Sequence, residues 1–393
     1  MIQPYNAVGL VPTVWGVSAR SQIMRNIEHH AHMMKAACWL ASLDLPVRLV
    51  ALPEGGLQGF NDEVLDTDHA WYADHCAIDV PGPETAALGE LCREYGVYMM
   101  AQAKARHPEW PERYFNVGFI LDPTGEVILV HHKTSPLFPV EHSVCPHDVF
   151  DWWIERYGRT LDAFWPVVDT AIGRLGIMMA NEGSYPENAR ALAMNGAEVV
   201  YRASIPHPAA SHDFFEIQNR ARALDNNMYL IAPNMGTYYL SAESEAPIDT
   251  FGGRSMIVDH RGQIVGNQPY GGVSTSVCGP VDIEALRHHR AVSPWTNWMK
   301  DLRTEMYQLV YESPIYPKNL YLERPPYRHA QYRTEVTERQ IRLMHERGIW
   351  APPATAPEPG PVDGRVPAVH DVAGADHSPT APAARPADEL GPA

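Results

Sequence analysis

Three ionisable residues stand at the ends of stretches that read as buried strands, or just beyond them. Glu54 closes VRLVALPE, Lys133 closes VILVHHK, and Glu141 lies eight residues past that lysine. In a protein of alternating strands and helices, active sites collect in the crevice beyond the strand ends. Ordinary solvated charges need no such placement. A fourth position belongs with them. Residues 176–196, GIMMANEGSYPENARALAMNG, begin with a wholly apolar run suited to a strand buried on both faces, then turn sharply through a polar stretch containing Gly183. Pro186 suits the first turn of the helix that follows, where its missing N–H costs nothing, and Glu187 meets the positive end of the helix dipole. An abrupt strand-to-helix turn fixes one side chain and aims backbone N–H groups at it, a common setting for nucleophilic catalysis. The residue at the strand end is Ala180, which has no nucleophilic atom.

The elements that must carry these residues are legible as period and punctuation. Residues 7–14 and 48–52 read as strands on either side of an amphipathic helix over 22–43, with Ile23, Ile27, Met34, Ala37 and Leu40 along one face. A helix over 84–95 stops at Gly96, and a strand over 97–101 follows. Residues 114–121 and 127–131 flank Asp122-Pro123-Thr124-Gly125 as a hairpin, and 256–259 with 263–266 form another about Arg261-Gly262. Between the hairpins lie the 176–196 unit, a strand over 199–202, a helix over 212–226 and a strand over 229–232. Strands alternating with helices define an α/β protein whose sheets are covered by helices. Strands end near Asp282; residues 295–311 and 335–347 read as helical, and from Ala351 a Pro- and Ala-rich tail cannot bury enough apolar surface to fold alone.

Bulk properties narrow the partners. A net charge of −16 over 393 residues argues against nucleic acid or an anionic membrane. No apolar run approaches the ~20 residues that span a bilayer, and the N-terminus lacks the features of a signal peptide. Five scattered cysteines without a CxxC pair read as free thiols in a reducing cytoplasm. There is no GxSxG, P-loop, GxGxxG or HExxH motif, and the histidines at 29, 30 and 32 lack the companions of a metal site. The Trp-rich residues 150–165 read as a lid.

LVALPEGGLQGF, HHKTSP and GIMMANEGSYPE resemble, in order and spacing, the three signature segments of the nitrilase superfamily of carbon–nitrogen hydrolases. The similarity spans roughly residues 5–280 and includes RARALDNNMYLIAPN; Tyr185-Pro186-Glu187 is most similar to the aliphatic amidase branch. The resemblance implies a four-layer α-β-β-α sandwich over residues 1–285, a C-terminal helical extension over 286–350 at a subunit interface, and a tail over 351–393. It implies a cytoplasmic homo-oligomer that hydrolyses a small amide through a cysteine thioester, with neither cofactor nor metal. By matching positions, Glu54 would be the general base, and Lys133 with the backbone N–H of Asn181 would hold the oxyanion. Glu141 would orient substrate or water, and Asn181, Glu182 and Tyr185 would contact substrate. Glu187 and Arg202 read as structural, and Glu182 is also suited to a buried ion pair.

The departure from the family is at the nucleophile, because its position is Ala180. This predicts an inactive Cys-to-Ala form that binds substrate without turning it over. Cys145 lies close to Glu141 but in a divergent stretch and is not expected to replace the missing thiol. A natural pseudoenzyme, acting as small-molecule binder or structural subunit, is the alternative from another class. A nitrilase or carbamoyl hydrolase is a further one.

Overall fold

A computed structural model describes residues 1–137, 140–204, 213–250 and 253–354. Residues 1–350 form one compact unit, and the expected tail falls mostly outside the described residues. The chain builds strands β1 (Tyr5–Val11), β2 (Thr13–Trp15), β3 (Val47–Ala51), β4 (Tyr98–His107), β5 (Trp110–Leu121), β6 (Val127–His132) and β7 (Val167–Thr170). It continues with β8 (Gly173–Ile177), β9 (Val199–Tyr201), β10 (Tyr229–Ala232), β11 (Thr237–Tyr239), β12 (Ser255–Val258), β13 (Ile264–Gln268) and β14 (Thr275–Val281). One six-stranded sheet has the order β14-β1-β3-β4-β5-β6 and the other β13-β12-β10-β9-β8-β7; β2 and β11 form a small separate ribbon. Each large sheet has a parallel trio at its centre, β1-β3-β4 in one and β8-β9-β10 in the other, flanked by antiparallel strands.

Alternation along the strands shows how the layers stack. Ala7, Leu49 and Ala51 point inward to meet Ile177, Val199, Tyr201 and Ile231 of the facing sheet. Their neighbours Val8, Val50 and Leu52 point outward, onto the helices Ile23–Ala41 and Pro83–Tyr95. On the far side Met178, Val200 and Leu230 pack against Pro186–Met194 and Phe214–Asn226. Strand segments covered on both faces are therefore apolar throughout, as Leu49–Ala51 of β3 and all of β9 are. The result is the expected four-layer α-β-β-α sandwich.

Several boundaries differ from expectation. The first strand stops at Val11 because Pro12 cannot donate to the ladder, and Thr13–Trp15 pairs elsewhere. Strands β4 and β5 run past their expected ends as one long hairpin. Strands β7 and β14 were not anticipated; both lie beside antiparallel partners and mix polar with apolar residues. The helix expected over 212–226 is Phe214–Asn226, His212 lying outside the described residues. The continuous helix expected over 295–311 is replaced by the short turns Trp298–Asp301, Thr304–Tyr307 and Gln308–Tyr311. Its apolar residues have no core to face: Trp295, Leu309 and Val310 are 83%, 69% and 69% exposed. The helix Glu338–Glu346 does form, and Tyr321, Tyr332 and Val336 of the extension pack onto the first sheet's outer core.

Candidate active site

Glu54 follows the end of β3, Lys133 follows β6, and Glu141 sits on the loop beyond, so the fold brings all three to one end of the first sheet. They are 3%, 2% and 2% exposed. Lys133 Nζ donates to Glu54 Oε1 at 2.7 Å and to Glu141 Oε2 at 2.7 Å, bridging the carboxylates. Asn116 Nδ2 donates to both as well, at 3.1 Å to Glu54 and 2.8 Å to Glu141. Asn116 is itself held by Gln102 Nε2 at 2.7 Å, and Gln102 Oε1 accepts the backbone N–H of Gly55 at 2.7 Å. Sequence reasoning missed Asn116 and Gln102. Their signal was a neutral polar residue interrupting an apolar strand, in YFNVGF and MMAQAK, where burial demands a partner.

The two carboxylates are not equivalent. Glu141 also accepts from the backbone N–H of Leu137 at 2.9 Å and from Ser143 Oγ at 2.8 Å. Burial raises its pKa, but Lys133 and these donors prevail and hold it at about 2. Glu54 has fewer donors, so burial prevails over the pull of Lys133 and raises it above the ordinary carboxylate value. Lys133 loses by burial but gains more from the carboxylates, and stays protonated. Environments that push paired carboxyls apart separate an acid–base role from an electrostatic one. Here Glu54 is the group suited to accept a proton.

Ala180 opens the tight turn Ala180–Ser184, with φ of 39°, a left-handed conformation that non-glycine residues adopt at a cost. The turn is held from several sides. The Ala180 N–H donates to the Ala203 carbonyl at 2.8 Å, and Arg202 Nη2 donates back to the Ala180 carbonyl at 3.3 Å. Arg222, also missed from sequence, donates to the carbonyls of Gly183 at 3.1 Å and Ser184 at 3.2 Å. Glycine is required at 183, since a Cβ there would stand 1.8 Å from Arg202 Nε. Glu182 turns wholly inward, taking His131 Nε2 at 2.9 Å, the Thr134 N–H at 2.8 Å and the Met179 N–H at 2.7 Å. Its carboxylate couples the turn to the residue after Lys133. Asn181 donates to the carbonyls of Ser135 and Pro136, each at 3.2 Å. Glu187 starts its helix and accepts from Tyr311 of the extension at 2.5 Å.

Asn181, Tyr185 and Thr134 also line a cavity of about 1080 Å³, walled by residues 150–165 on one side and 315–350 on the other. The Trp-rich segment is thus part wall and part core: Trp165 lines the cavity while Trp153 is buried against the first sheet. Cys145 is on the cavity wall, but it packs beside Asp148, and burial followed by that carboxylate raises its thiol well above the ordinary value. All five cysteines are free thiols. Among the described residues one group has metal-like spacing, Asp66, His142 and His329, with ligand atoms within 4.8 Å of one another. Asp66 Oδ1 already meets His142 Nε2 at 3.0 Å, Arg328 Nε at 3.2 Å and the His329 N–H at 3.2 Å, as a hub joining the extension to the core. Among the described residues no helix is long and apolar enough to cross a membrane.

Solved structures of similar architecture include the following. A cysteine-to-alanine mutant of a Nesterenkonia AN1 amidase from the nitrilase superfamily superposes with a TM-score of 0.57 at 18% identity, over 78% of this chain and 97% of that one. A carbon–nitrogen hydrolase from Helicobacter pylori G27 gives 0.60 at 19%, over 79% and 99%. At these identities the likeness defines the fold. The family follows from sequence: residues 14–287 match the carbon–nitrogen hydrolase family, and the chain belongs to it. Formamidases of Bacillus thuringiensis (strain Al Hakam) and Bacillus anthracis are 31% identical over 220 residues, 55% of this chain and 59% of theirs. The match therefore spans less than two thirds of those relatives. The expectation of an inactive Cys-to-Ala form finds no support here, because the relatives are named as amidases and formamidases and the chain retains a free thiol, Cys145, on the cavity wall.

Proposed function

We propose that the protein is an amidase-type carbon–nitrogen hydrolase whose substrate carboxamide lies over Ala180, beside the Glu54–Lys133 pair. The carrying observation is the lysine that bridges two buried carboxylates with opposed proton affinities. Glu54 acts as general base, Lys133 and the N–H of Asn181 stabilise negative charge on the carbonyl oxygen, and Glu141 keeps Lys133 charged and placed. Glu182 and Arg202 position the turn rather than touch substrate, and Tyr185 meets the substrate's far side. Residue 180 supplies no sulfur for a thioester, so Glu54 takes its proton from the water that attacks the carbonyl. The molecule works in the cytoplasm as a homo-oligomer that buries the apolar residues exposed on its C-terminal extension, and needs no cofactor.

The test compares the chain with Ala180→Cys and Cys145→Ala, following ammonia release from formamide, acetamide and larger amides beside the matching nitriles. Ala180→Cys is expected to raise turnover by several orders of magnitude, as restoring a nucleophile does, and to show an acyl adduct by mass spectrometry. Cys145→Ala is expected to change nothing. Loss of an existing activity in Cys145→Ala would instead move the nucleophile to that thiol. Silence of Ala180→Cys on every compound, with the fold intact, would favour a binding or structural role.

A further inference from the structure

The cavity beside the turn is far larger than a formamide or acetamide needs. Ligand cavities for drug-sized molecules run ~300–1,000 Å³, and this one, at about 1080 Å³, is slightly above that range. It also adjoins the chemistry. Thr134 and Asn181, both on its wall, are the residues next to Lys133 and Ala180. Its Ser135–Leu137 wall is tied to Asn181 on one side and, through the Leu137 N–H, to Glu141 at 2.9 Å on the other. An amide carbonyl held over Ala180 therefore has its substituent directed into this space.

The lining states what that substituent is. Phe150 and Phe164 stack with centroids 5.8 Å apart, and Trp165 is fixed by its Nε1 donating to Asn188 Oδ1 at 2.8 Å. Across the cavity the Tyr316 and Tyr332 hydroxyls lie 2.8 Å apart, so the aromatic surfaces are already ordered. Among the described lining residues Arg159 is the only Lys, Arg, Asp or Glu. Burial, and then Lys318, lowers the pKa of His147, leaving it neutral. An apolar group fits this wall, which offers no carboxylate among the described residues to pair a cation.

We propose, resting on the amidase reading above, that the acyl part of the natural amide is a large apolar group of aromatic size seated in this cavity, so that the product is a hydrophobic carboxylic acid and ammonia. As the carbon–nitrogen bond breaks, water adds its OH to the acyl carbon and one hydrogen to the leaving nitrogen, giving acid and ammonia, which are carboxylate and ammonium at neutral pH.

The chain as it stands can be tested by binding alone. 1-Naphthylacetamide and acetamide are titrated calorimetrically and by quenching of tryptophan fluorescence, since Trp165 and Trp350 line the cavity. Each methylene-sized apolar contact in a fitted pocket is worth about tenfold or more, so the naphthyl amide is expected to bind at least about 100-fold tighter. Ile341→Trp, which fills the cavity from a partly exposed position, is expected to weaken the naphthyl amide by at least about tenfold with the melting temperature unchanged. Equal affinity for the two amides overturns the inference, as does naphthyl binding that Ile341→Trp leaves intact. Tight binding sensitive to Ile341→Trp, together with Ala180→Cys that releases ammonia from neither amide, keeps the cavity but removes the amide reading, and with it the acyl assignment.

Discussion

At the scale of residues, the site is a contest for one proton among buried groups. Glu141 has its folded pKa depressed to about 2, so its charge stabilises the fold fully above the ordinary value of about 4.3. That stabilisation drains away as pH falls through the folded value. Glu141→Gln is therefore expected to cost on the order of 3 kcal/mol at neutral pH. Denaturant unfolding across an acid series should show the gap to the parent shrinking below about pH 4 and nearly closed by about pH 2. A gap independent of pH would mean that the side chain contributes packing and not charge. Glu54 has the opposite sign: burial raises it, so its ionisation costs stability as pH rises through the shifted value. A carboxylate kept reluctant to ionise is the better base, and Asn116 is the residue that lets both behaviours share one lysine.

At the scale of elements, the turn after β8 depends on glycine at 183 and on two arginines. Gly183→Ala must push Arg202 from its place, and overpacking of this kind costs ~1–3 kcal/mol. Gly96, which ends the helix Pro83–Tyr95 with φ of 63° and nothing within 4 Å, provides the contrast. Gly96→Ala should cost only about 1 kcal/mol, from backbone conformation alone. Thermal unfolding of the two variants compares them directly; equal losses would show that Arg202 yields without resistance. The strands carrying Glu54 and Lys133 were legible because an apolar run closed by a charge is rare unless the charge has work to do. Strands β7 and β14 were not, since polar residues dilute the alternation when one face lies open. Residues 295–311 misled for the converse reason: apolar residues at helical spacing promise a helix only where a core awaits them. Asn116 and Gln102 signalled only that a partner was needed, and Arg222 not even that, because one segment does not name the partner until the fold brings the two together.

At the scale of the whole molecule, the sandwich is complete without the extension, and the extension carries the surface that the monomer leaves wet. Trp295, Leu309 and Val310 are far more exposed than a stable soluble monomer favours in one short stretch. Replacing Leu309 and Val310 together by glutamate is expected to lower the mass measured by light scattering, with the core's melting profile retained. An unchanged mass would take these residues out of any subunit contact.

The hub at Asp66 has a consequence in time. Asp66 is made early, His142 midway, and Arg328 and His329 near the end of the described chain, yet they converge on one oxygen. During synthesis the two sheets can close once β14 has left the ribosome, while the cavity still lacks Tyr316, Tyr332 and Ile341. A nascent chain thus passes through a stage in which Glu54, Lys133 and Glu141 are made and the far wall of the cavity is not. On the function proposed above, selectivity would follow the hydrolytic groups in order of synthesis.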